Sequence, residues 1–169
     1  MEIVYYSSVS SPIGEIWVAS DRVGVCLLRL GQKKQEFLRE VRRLRIGHPC
    51  VGRGFNQGVV EEIRSYFEGK LAHFSTPLHP RGGGFDLKVW EAVQRIPLGE
   101  TRSYQELAQE VGNPKGCRAV GGANRRNPIA LLIPCHRVIR KDGGLGGYSS
   151  GVEIKEWLLR FEQKVIRSH

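Results

Sequence analysis

The sequence predicts an α+β protein in which a small N-terminal domain of antiparallel sheet and helices precedes a mainly helical domain with a helix-turn-helix. Three observations support this class. Runs rich in Val, Ile, Tyr and Leu alternate with turn residues near the start, three glycines at 82–84 interrupt the chain, and apolar residues beyond them recur at helical spacing. The 169 residues, 40% of them hydrophobic, suffice for two small domains, predicted at 1–80 and 81–169.

The N-terminal half begins with strands and continues with helices. An antiparallel three-stranded meander is predicted, with strands over residues 2–9, 14–19 and 23–30. Helices are predicted over 33–45 and 58–69, because apolar residues there recur three and four positions apart on one face.

The C-terminal half is predicted to be helical. Its first helix ends before Pro97, Ser103 caps the second, and a third over 115–125 completes the helix-turn-helix. Ser150 and Glu153 have the spacing of a capping box, which predicts where the last helix begins.

Positive charge is in excess and unevenly placed. Lys and Arg number 26 against 17 Asp and Glu, so the formal net charge is +9, which suits an anionic partner such as nucleic acid. A basic run is often only a solvated face, but this one spans the helix-turn-helix, which favours nucleic acid. We therefore predict an electropositive surface from the seven cations between Glu110 and Asp142, namely Lys115, Arg118, Arg125, Arg126, Arg137, Arg140 and Lys141.

Several classes of protein are not indicated. No apolar run approaches the roughly 18 residues of a membrane span, and the start lacks the pattern of a secretory signal. The four cysteines form no CxxC pair, so we expect no disulfide framework, and a Cys26–Cys50 bridge would fit only a hyperthermophile. Cys26, His48, Cys50 and His79 match no compact zinc module, so we expect no metal.

Cys135 and His136 are the residues best suited to chemistry. A cysteine is a nucleophile only as thiolate, and its ordinary pKa of about 8.5 leaves a few per cent ionised at neutral pH. A histidine can take the proton, and an acid such as Glu162 on the last helix can orient that histidine. Because neighbouring side chains in a strand point apart, we expect a water between Cys135 and His136. The dipeptide alone favours a buried, inert cysteine instead.

Spaced motifs over about residues 85–162 decide between these interpretations. Upstream stand Phe85, Val89-Trp90, Ile96-Pro97, Gly99 and Ser103-Tyr104. Downstream stand Arg118-Ala119-Val120-Gly121-Gly122-Ala123, Asn127-Pro128, Ile133-Pro134-Cys135-His136-Arg137-Val138, Gly147-Tyr148-Ser149, Lys155-Glu156-Trp157-Leu158-Leu159 and Glu162. In this order they resemble the O6-alkylguanine-DNA alkyltransferase family, which residues 1–80 match only in general shape.

The resemblance implies a single-turnover DNA repair protein that flips O6-alkylguanine out of the duplex and moves the alkyl group irreversibly to its own cysteine. It implies that Cys135 is the acceptor, that His136 is a base acting through water, and that Glu162 holds this histidine. Tyr104 would donate to the guanine ring and help drive flipping. Lys155, near the cysteine in this pattern, would favour the thiolate.

The resemblance also implies a DNA-binding surface and a pocket. The expected DNA-binding residues are Tyr104, Lys115, Arg118, Ala119, Gly121, Gly122, Arg125 and Asn127. Arg118 would fill the space left in the stack, small residues would let the helix approach the minor groove, and Asn127 would brace the turn before the cysteine. The expected pocket residues are Asn124, Val138, Tyr148 and Ser149. The carbonyls of Cys135 and Val138 would accept from the guanine amine, and the Ser149 N–H would contact O6.

The expected partner is double-stranded DNA containing O6-alkylguanine. We expect a monomer without cofactor or membrane association, in the cytoplasm (with the nucleoid in a prokaryote) or in the nucleus of a eukaryote. Two alternatives remain. A non-catalytic relative that binds alkylated DNA would lack the cysteine, whereas Cys135 is present. A thiol hydrolase using Cys135 and His136 would need an oxyanion hole and leaves the basic helix-turn-helix unexplained.

Overall fold

The computed structural model describes residues 2–52 and 54–169. The chain divides into two compact units, Met1–Arg81 with Pro128–Ala130 and Gly82–Asn127 with Leu131–His169. The predicted division after residue 80 assigned Pro128–Ala130 to the second domain. These residues belong to the first unit because the Leu28 N–H donates to the Pro128 carbonyl at 2.9 Å and the Ala130 N–H to the Leu28 carbonyl at 3.3 Å.

The first unit is built on a four-stranded mixed sheet. Its elements are β1 (Ile3–Ser11), β2 (Gly14–Ser20), β3 (Val25–Leu30), α1 (Lys34–Arg43), β4 (His48–Val51) and α2 (Gln57–Phe67). The strand order is β3-β2-β1-β4. The predicted antiparallel meander of β1, β2 and β3 is confirmed. A core cluster between sheet and helix comprises Val4, Tyr6, Ala19, Cys26, Leu27, Phe37, Val41 and Ile46.

Strand β4 is a difference from the sequence prediction, which contained no strand there. It pairs parallel with β1 at the edge of the sheet. The strand is only four residues long and contains Pro49, which cannot donate to a ladder and is tolerated at an edge. Its half-exposed side chains lack the alternation that marks a strand in a sequence.

The second unit is mainly helical. Its elements are α3 (Gly84–Gln94), β5 (Arg102–Ser103), α4 (Tyr104–Glu110), α5 (Cys117–Arg125), a 3-10 turn (Cys135–Arg137), β6 (Val138–Ile139) and α6 (Val152–Arg167). The short strands β5 and β6 pair in parallel. No helix among the described residues is long and apolar enough to cross a membrane.

Two predicted helix starts in this unit have different outcomes. The Ser103 cap is confirmed, because its hydroxyl accepts from the Glu106 N–H at 3.0 Å and so begins α4 at Tyr104. The capping box of Ser150 and Glu153 is wrong. Gly151 occupies the N-cap of α6 with φ of 107°, a conformation that suits glycine, and no side chain caps this helix.

Candidate active site

Cys135 opens the 3-10 turn and is buried, with 7% of its surface exposed. The strand assumed for this dipeptide is wrong, because Cys135, His136 and Arg137 form one tight turn. The Cys135 carbonyl accepts from the Val138 N–H and, at 3.4 Å, from Nδ2 of Asn124 on α5. Helix α5 therefore helps to fix the backbone that presents the thiol.

His136 and Glu162 form a completely buried pair. Nε2 of His136 lies 2.7 Å from Oε2 of Glu162, and neither side chain is exposed. A carboxylate oxygen accepts, so Nε2 carries the proton and Nδ1 is the basic nitrogen of the neutral ring. Nδ1 is buried and makes no hydrogen bond to a described residue. His136 is thus held through Nε2, which leaves Nδ1 able to accept a proton.

Arg137 belongs to the same buried array, which its sequence position did not predict. Its Nε donates to Oε1 of Glu162 at 2.8 Å and its Nη2 to Oε2 at 3.0 Å, so the guanidinium grips the carboxylate with two bonds. Its Nη1 donates to the carbonyl of Ile96, just after α3, at 2.7 Å. The signal in the sequence is an arginine directly after the cysteine and histidine, and the charge pattern instead predicts that it belongs to the basic surface.

The charges of this array follow from burial and pairing. Burial alone would raise the pKa of Glu162, but His136 and Arg137 hold it well below its usual range. Burial lowers the pKa of His136 more than Glu162 raises it. The resting state is therefore a Glu162 carboxylate beside a neutral His136, which is the form that can act as a base.

Lys155 is also completely buried. Its ammonium donates to three backbone carbonyls, those of Val138 at 2.6 Å, Leu145, and Gly147 at 3.4 Å. Burial lowers the pKa of Lys155 to about 8, while the nearby Cys135 works in the opposite direction. The Val138 carbonyl, expected to accept from a guanine amine, therefore already accepts from Lys155.

A cavity of about 610 Å³ lies over the thiol. Its wall is formed by Tyr104, Cys117, Arg118, Gly121, Gly122, Asn124, Arg125, Cys135, Gly147, Tyr148 and Ser149. Seven predicted site residues instead lie outside this lining, namely Lys115, Ala119, Asn127, His136, Val138, Lys155 and Glu162. Cys117 is a lining residue that the sequence analysis did not assign to the site, although its place beside Arg118 pointed to the helix end nearest the pocket.

Asn127 links the end of α5 to the segment that leads to the cysteine. Its Nδ2 donates to the Ile133 carbonyl at 2.8 Å, two residues before Cys135. The same helix is tied to α3, because the indole of Trp90 donates to the Ala123 carbonyl at 2.8 Å in a buried contact. Side chains within the unit therefore fix α5 both to α3 and to the segment that leads to Cys135.

The predicted surface of seven unpaired cations is wrong for three of its members. Arg137 is buried on Glu162, Arg126 pairs with Asp86 at 2.8 Å, and Arg140 pairs with Asp142 at 2.9 Å. Asp86 lies 40 residues before its partner, so a local count of acids could not reveal this pair. The four that make no ion pair with a described residue are Lys115, Arg118, Arg125 and Lys141, and all four are exposed.

The first unit contains a second cluster around a cysteine. Asp21, Cys26 and His79 place one potential metal-ligand atom each within 4.8 Å of one another. Of the four residues considered for zinc from the sequence, the structure brings together only Cys26 and His79, and it adds Asp21. All four cysteines are free thiols, so Cys26 and Cys50 form no bridge.

Comparison with known proteins agrees with this organisation. Residues 84–164 match the family model of the 6-O-methylguanine DNA methyltransferase DNA-binding domain. Residues 4–80 match the model of the ribonuclease-like domain of the same proteins. Together the two models cover nearly all of the chain.

Relatives and solved structures agree with the family models. A methylated-DNA–protein-cysteine methyltransferase of Methanosarcina barkeri is 43% identical over 97% of this chain and 100% of its own length. The constitutive Bacillus subtilis protein of that name is 37% identical, over 94% and 95%. The structure of Mycobacterium tuberculosis OGT in complex with DNA superposes with a TM-score of 0.83 at 39% identity, over 96% and 94%. The chain therefore belongs to the 6-O-methylguanine DNA methyltransferase family.

Proposed function

We propose that this protein repairs O6-alkylguanine in duplex DNA by moving the alkyl group, once per molecule, to Sγ of Cys135. One observation carries this proposal. Cys135 lies in the cavity wall, and the buried His136 that follows it is held at Nε2 by the Glu162 carboxylate. A neutral His136 with a basic Nδ1 is equipped to remove the thiol proton through a water.

The transfer step conserves atoms and charge. The Cys135 proton moves to His136, and the resulting imidazolium is stabilised by Glu162. Sγ attacks the alkyl carbon, the S–C bond forms, and the C–O6 bond breaks with its electron pair going to the guanine. The guanine then takes the proton from His136 and leaves as the normal base. The protein retains a thioether, which is a poor leaving group, so it is not regenerated.

Residues around the cavity would orient the flipped base. Burial, together with Cys135, raises the pKa of Tyr104, so its hydroxyl stays protonated and can donate to a ring nitrogen. The Cys135 carbonyl and the second lone pair of the Val138 carbonyl, which also accepts from Lys155, would accept from the guanine amine, and the Ser149 N–H would contact O6. Asn124 and Tyr148 would complete the pocket wall.

Helix α5 would enter the minor groove. Packing within the protein does not require glycine at its centre, because a Cβ added at Gly121 would meet Tyr104 at an ordinary 3.8 Å. Small residues on this face therefore suit the approach of an external surface. The exposed Lys115, Arg118 and Arg125 would contact DNA, with Arg118 filling the vacated stack.

We place the protein, as a monomer, in the compartment that holds the DNA, the cytoplasm of a prokaryote or the nucleus of a eukaryote.

The decisive experiment is incubation with a duplex oligonucleotide carrying O6-methylguanine, followed by mass spectrometry of the intact protein. We expect one added methyl group per molecule, located on Cys135, and a repaired guanine. Cys117→Ala is the matched control, since this thiol lines the same cavity, and it should still be methylated once. Repeated turnover would indicate a thiol hydrolase, and tight binding without modification would indicate a non-catalytic binder.

The role of Arg118 is tested by comparing duplex DNA with free O6-benzylguanine, which needs no flipping. Because flipping costs a few kcal/mol, Arg118→Ala should slow repair of duplex DNA by about tenfold or more while leaving the free-base rate nearly unchanged. Arg126→Ala, which removes an exposed arginine that already pairs with Asp86, is the control. Equal losses on both substrates would exclude Arg118 as the stack-filling residue.

A further inference from the structure

Lys155 is a buried cation whose partners are all backbone carbonyls. It makes no ion pair with a described residue, and its three partners are Val138, Leu145 and Gly147. An ammonium has three N–H donors and no acceptor, so three carbonyls match it fully. A buried charge is costly unless it is fully hydrogen-bonded, and this arrangement satisfies that requirement without a carboxylate.

The three carbonyls bracket one segment, residues 139–147, whose last residue, Gly147, lines the cavity. Val138 lies just before residues 139–147, and Leu145 and Gly147 lie at its end. Four of these nine residues are glycines, and few side chains are available to pack the segment in place. Within it, the Arg140 N–H donates to the Gly144 carbonyl at 2.8 Å, which closes only the turn at its tip. The first residue of the segment, Ile139, is also held by pairing with Ser103 between β5 and β6, and Lys155 ties both ends of the segment to α6.

Within this segment, Gly146 lies directly against the Tyr104 side chain. Leu145 and Gly147 flank Gly146, which has φ of 72°. A Cβ added at Gly146 would lie 2.9 Å from the Tyr104 hydroxyl oxygen and 3.3 Å from its Cε2, closer than packed side chains allow. By holding the carbonyls on either side of Gly146, Lys155 fixes the surface against which Tyr104 rests.

We propose that Lys155 is a positioning residue that acts through the backbone, holding residues 139–147 so that Gly147 keeps its place in the cavity wall and Gly146 keeps Tyr104 in position. This inference rests on the proposed function and refines it. The role that the family resemblance implies, stabilisation of the Cys135 thiolate by charge, predicts a different result. A positioning role affects the fit of the base, whereas a thiolate role affects the reactivity of the thiol toward any electrophile.

Two rate constants distinguish these roles, one with O6-benzylguanine and one with iodoacetamide, a small electrophile that needs no pocket. In Lys155→Met we expect the rate with O6-benzylguanine to fall about 10- to 100-fold, as loss of hydrogen bonds to a charged group suggests. The iodoacetamide rate at Cys135 should stay close to wild type. Lys164→Met removes an exposed lysine from the same helix and should change neither rate. Parallel loss of both rates in Lys155→Met, or loss of neither, would overturn the proposal.

Rescue and amide exchange keep the test valid if Lys155→Met folds poorly. In Lys155→Ala, propylammonium should restore the O6-benzylguanine rate at least in part, whereas tetramethylammonium, which has no N–H, should not. Hydrogen exchange of residues 139–147 should accelerate in the variant and slow again with propylammonium. Exchange does not depend on alkyl transfer, so it tests the anchor even if wild type fails to react with the O6-methylguanine duplex, a failure that would refute the proposed function and not the anchor. Unchanged exchange would refute the anchor.

Discussion

Each unit of this protein contains a cysteine clustered with a histidine, a carboxylate and an arginine, yet the two clusters differ in the order of their groups. In the first unit Asp21 is hydrogen-bonded to His79 at 2.6 Å and to Arg81 at 3.2 Å, and the same carboxylate neighbours Cys26. In the second unit Glu162 binds His136 and Arg137. In the proposed mechanism His136 takes the proton of Cys135 and Glu162 stabilises His136, so this carboxylate acts on the thiol only through the histidine.

The position of the carboxylate decides what the thiol can do. Burial and the adjacent Asp21 raise the pKa of Cys26 to about 12, so this thiol stays protonated and inert. Cys135 instead lines a cavity and is followed by neutral His136, which can accept its proton. The same four residue types therefore give a structural cluster in one case and a candidate nucleophile in the other. The composition of a cluster is not evidence for catalysis without its geometry.

The comparison would fail if the two cysteines were interchangeable. Cys135→Ala should abolish alkyl transfer, because the other thiol of the cavity wall, Cys117, is not followed by a histidine that a carboxylate holds. Cys26→Ala should transfer at the wild-type rate. The measurement is the mass of intact protein after reaction with an O6-methylguanine duplex. DNA binding by Cys135→Ala should persist. Residual methyl transfer by that variant would contradict the mechanism.

Thiol labelling gives the next largest contrast. A pKa of about 12 for Cys26 leaves its thiolate fraction more than a thousandfold below that of an ordinary cysteine with a pKa of about 8.5. Iodoacetamide at neutral pH should thus label Cys135 in the folded protein and leave Cys26 unlabelled until the protein unfolds, as peptide mapping would reveal. Labelling of both residues at similar rates would remove the distinction between the clusters.

The carboxylates should differ as clearly as the thiols. Glu162→Gln should reduce alkyl transfer by about 100-fold, within the usual contribution of a positioned base, because the imidazolium loses its partner. Asp21→Asn should leave the transfer rate unchanged and lower only stability. Single-turnover rates with O6-benzylguanine, together with urea unfolding, check both statements. A rate loss in Asp21→Asn comparable to that of Glu162→Gln would mean that the first cluster serves catalysis.

Acid should destabilise both clusters. Asp21 and Glu162 have pKa values below their ordinary values of 3.8 and 4.5, so each contributes stability that is complete above those values and is lost as the pH falls. The free energy of unfolding should therefore drop between about pH 5 and pH 2, at about 1.4 kcal/mol for each unit of pKa difference. Either neutral variant, Asp21→Asn or Glu162→Gln, should flatten this drop. The exposed control Glu91→Gln should keep the wild-type slope.

Alkylation of Cys135 should have the smallest of these effects. Only 7% of the Cys135 surface is exposed to the cavity, so an S-alkyl group must displace neighbouring atoms, which typically costs about 1–3 kcal/mol. It also removes the charge that can form on the thiol. The melting temperature should fall after methyl transfer and fall further after benzyl transfer. Differential scanning calorimetry of the three forms measures this order. A melting temperature that is constant or rises with benzyl would indicate spare room in the pocket.

Local sequence signals predicted local structure well. The helical periodicity of the second unit and the Ser103 cap depend on residues within one or two turns, and both correspond to observed elements. The capping box at Ser150 failed for a local reason too, since Gly151 adopts a positive φ and becomes the N-cap itself. The backbone conformation of Gly151, and not the spacing of Ser150 and Glu153, therefore sets the start of α6.

Contacts between distant residues could not be read from periodicity. His79 meets Asp21 across 58 positions, and Arg126 meets Asp86 across 40. The motif resemblance identified Cys135, His136 and Glu162 as a group, but it gave no sign that Arg137 grips the same carboxylate. Electrostatic partners depend on the fold, so a charge count along the chain assigned three buried or paired arginines to a free surface.

The three consecutive residues of the 3-10 turn hold together helices that are far apart in the sequence. The Cys135 carbonyl accepts from α5, His136 is bound to α6, and Arg137 reaches the end of α3 as well as α6. Opening any one of these helices would disconnect the turn, so we expect the reactive array to assemble only when α3, α5 and α6 are all in place. Partial activity in a stressed population would then report a mixture of fully competent and fully inactive molecules, with no half-assembled species between them.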